Sequence, residues 1–148
     1  MYLIYSMKKI SRFVLVMLAV SGVVDFMGFA FGLFYAGVFY DNLAHFLTTF
    51  SLVALAAELY FRHEMTHRSV TPSVTVRRAL AAGAAMGLAG GVAWEAFEAL
   101  LDLIFPGKIY NPPVDSVVDT VFGILGGALG MWRTVNHFGL TPPDRLSD

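Results

Sequence analysis

Three pairs of polar residues in this chain have spacings that put both members on one face of a helix. Asp41 and His45 are four apart, Glu95 and Glu98 three apart, and Asp115 and Asp119 four apart. Residues at i,i+3 and i,i+4 are neighbours on a helix surface. Carboxylates gathered with one imidazole suit a divalent ion such as Zn²⁺, Mn²⁺, Mg²⁺ or Ca²⁺. Helical bundles build carboxylate metal sites in this way, from paired ligands on facing helices. A metal ion held by carboxylates can also activate water for hydrolysis, and Glu95 and Glu98 are then the candidate catalytic acid/base groups. The competing reading is structural: Asp41 and Asp115 are placed to cap helices, and the others to make local hydrogen bonds. Glu95 and Glu98 resist that reading because they stand inside an apolar run.

The elements that must position these residues are apolar throughout. Of the 148 residues, 57% are hydrophobic and 14% charged, where a soluble domain carries about 25% charged residues. The mean hydropathy is +0.65. The fold class is therefore all-α: a polytopic membrane protein, with four transmembrane helices in one bundle. The spans are read at 13–39, 40–61, 76–105 and 115–135, each near or above the ~20 residues that cross a bilayer. Residues 139–148 read as a polar, disordered tail. The first run could serve as a signal peptide, with Lys8, Lys9 and Arg12 ahead of it, but it is longer than the ~7–15 residues of such a segment. It is read as a retained span.

Net charge is −1, which gives no electrostatic case for nucleic acid. There is no cysteine, so no disulfide, iron–sulfur cluster or thiol nucleophile. Orientation follows from the basic residues. Lys8, Lys9 and Arg12 precede the first span. Arg62, Arg68, Arg77 and Arg78 lie between the second and third, and Arg133 and Arg145 close the chain. The other two connections hold only Lys108. Both termini are thus expected on the cytoplasmic side of the cell membrane, and all three polar pairs in its outer half. Lys108 and His45 are the only basic groups expected there, so the carboxylates call for protons, a metal ion or water. Asp25 faces the same cavity or pairs locally, Asp102 is peripheral, and Ser116 is a nearby hydroxyl that nothing marks as a nucleophile.

Glycines recur at helix-packing spacing: Gly83, Gly87 and Gly91 in the third span, and Gly123 with Gly127 and Gly126 with Gly130 in the fourth. Small residues four apart let helices approach closely in lipid. They serve packing within the bundle or, alternatively, a homodimer interface.

The string Tyr40-Asp41-Asn42-Leu43-Ala44-His45-Phe46 resembles the opening of a span in the VanZ-like superfamily, closest to its YjdF group. Trp94-Glu95-Ala96-Phe97-Glu98 is similar to the Glu-x-x-Glu pair of that group. Asp115, Asp119, Gly123 and Gly127 match an Asp-rich start to the last span, and Pro106-Gly107-Lys108 is similar to a Pro-Gly-basic turn. The resemblance covers roughly residues 38–131. Asp119 stands where those proteins often have Asn, Glu98 where they often have Gln, and the long acidic-aromatic insert of many YjdF-like proteins is missing. The resemblance implies a protein of the cell envelope, VanZ itself being linked to glycopeptide resistance, and carries no mechanism.

A rival motif is His63-Glu64-Met65-Thr66-His67, an H-E-x-x-H match of the zinc-protease kind. Arg62 and Arg68 flank it, Thr71-Pro72 follows, and the same side offers only weak third ligands such as Asp144. It reads as a solvated helix end. The residues leave three function classes: a metal-binding protein acting on envelope lipids or their phosphate head groups, a proton- or cation-coupled carrier working as a dimer, and a non-catalytic accessory protein. Whether the chain is an enzyme is left open among them.

Overall fold

The computed structural model describes residues 9–35, 38–67, 73–104 and 113–140. Four long helices account for nearly all of them: α1 (Arg12–Phe31), α2 (Val38–His67), α3 (Val76–Ile104) and α4 (Pro113–His137). All four are long and apolar enough to cross a membrane. No strand occurs among the described residues. Lys8, Arg68, Thr71-Pro72, the Pro106-Gly107-Lys108 turn, Asp144, Arg145 and residues 141–148 of the expected tail lie outside the described residues.

Local chemistry sets the helix ends. Ser11 caps α1, its hydroxyl accepting from the Val14 N–H at 3.3 Å. Gly32 ends α1 in the left-handed region at φ 66°, its N–H returning to the Gly28 carbonyl. The first helix therefore stops well short of residue 39, the end expected from hydropathy alone. A short 3-10 turn, Leu33–Tyr35, follows. Phe34 of that turn lies over Gly28, where any Cβ would collide with the ring. The Thr75 hydroxyl accepts from the Arg78 N–H at the start of α3. Pro113 opens α4, a position where its missing N–H costs nothing.

Helix α4 ends in a Schellman turn. Gly139 takes φ 62°, and Leu140 N–H reaches back to Val135 O at 3.1 Å. Leu140 is buried, and its carbonyl accepts from Val74 N–H at 2.9 Å. Gly139 and Leu140, expected in the disordered tail, are instead held in this turn, because the apolar Leu140 is clamped into the core.

Contacts give an up-down-up-down bundle. Helix α1 runs antiparallel to α2, with Ser11 on Glu58 and Ser21 on Thr48. Helices α3 and α4 are antiparallel: Gly83 opposes Gly127, and Gly87 opposes Gly123. Helices α2 and α4 run parallel, Gly126 lying against Phe46 and Gly130 against Phe50. Helix α4 is thus wedged between α2 and α3. Helices α1 and α3 flank α2 without packing on each other.

This wedge consumes the glycines. One face of α4 presents Gly123 and Gly127 to α3, and an adjacent face presents Gly126 and Gly130 to α2. A Cβ on Gly83, Gly87, Gly126 or Gly127 would run into a facing carbonyl oxygen. The surfaces considered for a homodimer are filled from within the chain, since close backbone approach is what holds helices together where lipid removes the hydrophobic drive.

The interior is more polar than the exterior. Ser21, Asn42, His45, Thr49, Ser51, Glu58, Asp119 and Thr134 are buried. Val16, Val23, Phe29, Leu103 and Val117 face outward. In water such an exterior is an aggregation hazard; in a bilayer it is the solvated face. The apolar core is small and lies at one end, around Val53, Ala57, Phe61, Met131 and Val135. Arg12, Arg62, Arg77, Arg78 and Arg133 share that end, by the helix directions above.

At the same end a buried knot joins α1 to α2. Glu58, 1% exposed, accepts from Ser11 N–H at 2.5 Å and Ser11 Oγ at 2.6 Å, and from Arg62 Nε at 2.8 Å. The carboxylate thus caps the positive N-terminus of α1 while pairing with Arg62 one turn along its own helix.

Candidate metal centre

The other end of the bundle carries the acidic pairs. The first two turns of α2 supply Asp41 and His45, the second half of α3 supplies Glu95 and Glu98, and the start of α4 supplies Asp115 and Asp119. The parallel course of α2 and α4 brings Asp119 level with Asp41 and His45. The antiparallel course of α3 brings Glu95 and Glu98 to the same level.

His45 is the hub. Its Nε2 lies 3.5 Å from Asp41 Oδ1 and 3.8 Å from Asp119 Oδ2. Asp41, His45 and Asp119 form one group whose ligand atoms lie within 4.8 Å of one another, and His45, Glu95 and Glu98 form a second. Either group is compact enough to hold an ion. Five of the six residues singled out from the sequence therefore converge. Asp115 sits one turn before Asp119 and joins neither group among the described residues.

The surroundings fix these side chains. Trp94 Nε1 donates to Glu98 Oε1 at 2.9 Å, and its ring stands edge-on to His45, centroids 6.1 Å apart. The Thr49 hydroxyl donates to the His45 carbonyl at 2.7 Å, which anchors the helix turn under the imidazole. Asp119 is 1% exposed, and its Oδ1 has no hydrogen-bond partner among the described residues. Burying a carboxylate oxygen with nothing to compensate it costs several kcal/mol at ~ε 4–20. A proton shared with His45 or a bound cation would relieve that cost.

Asp25 satisfies both alternatives left by the sequence. It lines a cavity of about 270 Å³ together with Asp41 and His45. It also accepts from the Thr48 hydroxyl at 2.9 Å and from Ser21 Oγ at 3.5 Å. Thr48 and Thr49 were legible as continuations of the Asp41–His45 stripe at i+3 and i+4, and are the residues that sequence reasoning passed over. Ser116 lines a separate, more open groove with Glu95. Nothing is described for the Asp102 side chain.

The H-E-x-x-H stretch lies at the opposite end, in the last turns of α2. His63 and His67 are exposed and stacked, ring centroids 4.2 Å apart, and His67 Nδ1 sits 2.9 Å from the His63 carbonyl. Among the described residues no third ligand joins them.

Fold and site together define a class: a four-helix membrane protein with a carboxylate–imidazole cluster buried at one end of its bundle. Within that class the chain belongs to the DUF2238 family of predicted membrane proteins, whose profile matches residues 2–138. No curated protein and no solved structure matches it.

Proposed function

We propose that this protein binds one divalent metal ion at Asp41, His45 and Asp119, served by Glu95 and Glu98, and acts on the polar head of an envelope lipid, a phosphate-bearing head above all. The observation that carries this reading is the enclosed, unpartnered Asp119 Oδ1 beside the His45–Asp41 pair. One imidazole with several carboxylates is a donor set for Zn²⁺, Mn²⁺, Mg²⁺ or Ca²⁺. An ion in that place would supply Lewis-acid polarisation of a phosphate oxygen. Glu95 and Glu98, close enough to His45 to share an ion with it, would then complete the ion's ligand set, and one of them would hold or move the proton.

Supporting the setting, the described arginines gather at the end of the bundle remote from the cluster. By the positive-inside rule that end is cytoplasmic, and the site then opens toward the outer leaflet of the cell membrane. The Asp41-to-Phe46 and Trp94-to-Glu98 strings, with their VanZ-like and YjdF-like character, agree with an envelope role. A dimer, if formed, would use a surface other than the glycine faces.

Elemental analysis of the purified protein tests the reading. About one equivalent of metal per chain is expected in the native protein, and a large loss in the Glu95→Ala, Glu98→Ala double variant. Substoichiometric metal in both would remove the basis for it.

A further inference from the structure

The cavity beside His45 has a shape that the metal site does not explain. Its floor is one stripe of α2: Asp41, His45, Thr48, Leu52, Val53 and Ala56. At ~1.5 Å per residue, positions 41–56 extend about 22 Å along the helix axis. The stripe changes character along its length. It is charged at Asp41, polar through Thr48, and wholly hydrocarbon from Leu52 onward. The walls follow the same order, with Asp25 and Trp94 at the polar end and Met86 at the apolar end.

The cavity exists because its walls do not meet. Helices α1 and α3 flank α2 without packing on each other, and α3 rests on α4 far more than on α2. A gap between two helices on the side of a membrane bundle faces lipid. An occupant must therefore be polar at one tip, apolar over the rest, narrow, and available from the bilayer.

We propose that this cleft seats one hydrocarbon chain of a bilayer lipid, with its head at Asp41, His45 and Asp25 and its tail running past Val53 toward Ala56 and Met86. The metal-centred reading above is what makes the seated lipid a substrate; the seat itself is a separate claim. Ala56 and Met86, at the far end, set how much chain fits. A Cβ added at Gly90 would come no nearer than 3.9 Å to Thr49 Cγ2, so the middle of the cleft is open there.

The test uses the full chain in vesicles of phosphatidylethanolamine and phosphatidylglycerol, with a fraction of the phosphatidylethanolamine, whose ammonium suits the carboxylates, carrying a diazirine in one acyl chain. After illumination, adducts are mapped by peptide mass spectrometry. Val53 lines the cleft and is otherwise packed into the core, so the little of it that is accessible is reached through the cleft, whereas Leu59 and Leu129 face outward. The expected result is labelling of Val53 and Ala56 several-fold above Leu129, lost in Ala56→Phe. Adducts confined to outward residues such as Leu59 and Leu129 would overturn the proposal, and this outcome is read on the native chain even where Ala56→Phe does not fold. Metal content measured on the same preparation separates the two claims. Labelled Val53 without metal keeps the lipid seat and removes the metal reading, and metal without labelled Val53 does the reverse.

Discussion

His45 Nε2 lies 3.8 Å from Asp119 Oδ2, across the interface of two parallel helices that are far apart in the sequence. The pair is brought together because α4 presents Gly126 and Gly130 to the backbone of α2, which draws the two helices close about two and three turns beyond Asp119. Packing thus positions the site, and the packing can be disturbed separately from the chemistry.

Gly127→Ala is expected to destabilise the bundle by about 1–3 kcal/mol, since the new methyl meets the Gly83 carbonyl oxygen and the helices must separate. Gly22→Ala, in open space on α1, is expected to be neutral or to stabilise by up to ~1 kcal/mol. Thermal unfolding in detergent compares them. Equal melting of the two variants would contradict the wedge arrangement.

Removing one partner of the buried Glu58–Arg62 pair leaves an uncompensated charge, so Glu58→Met alone is expected to cost about 3–5 kcal/mol. The double variant Glu58→Met, Arg62→Met is expected to regain most of that loss, because both charges leave together. A double-mutant cycle on unfolding free energy measures the coupling, and strictly additive effects would argue against the knot.

The four helices were legible because each apolar run is long enough to cross a bilayer, and the polar pairs because i,i+3 and i,i+4 spacing survives any error in helix ends. What stayed hidden depended on which helices touch. Hydropathy carried the first span through Gly32, since a left-handed cap is a backbone event that leaves apolar residues on both sides. Glycines four apart identified α3 and α4 as close-packing helices without saying that α2 takes a second face of α4. Asp115 and Asp119 look equivalent in the sequence, yet only Asp119 reaches His45, because one turn of helix decides which carboxylate falls at the α2 contact. Glu58 and Arg62 carried an i,i+4 signal, but only the fold reveals that Ser11 completes their network.

Trp94 is expected to act on the site through Glu98. Trp94→Phe keeps the ring beside His45 and removes the N–H that Glu98 accepts at 2.9 Å. Loss of a hydrogen bond that orients a ligand typically costs about 10–100-fold in metal affinity. Competition with a chelator of known affinity reads this out, and unchanged affinity would place Glu98 outside the site.

The exposed His63 and His67 are expected to contribute nothing to tightly bound metal. The His63→Ala, His67→Ala variant should retain the native metal content through extensive dialysis, whereas His45→Ala should lose it. Metal loss from the first variant alone would move the centre to the far end of α2.

The central claim is that the buried Asp41–His45–Asp119 group is a metal site, and calorimetric titration of the metal-stripped protein with Zn²⁺ and with Mn²⁺ tests it most directly. The account predicts one saturable site per chain for at least one of the two ions, with affinity falling by two orders of magnitude or more in Asp119→Asn, while the variant remains folded by circular dichroism. The absence of saturable binding of either ion to the native chain, or the same affinity in Asp119→Asn, would contradict it.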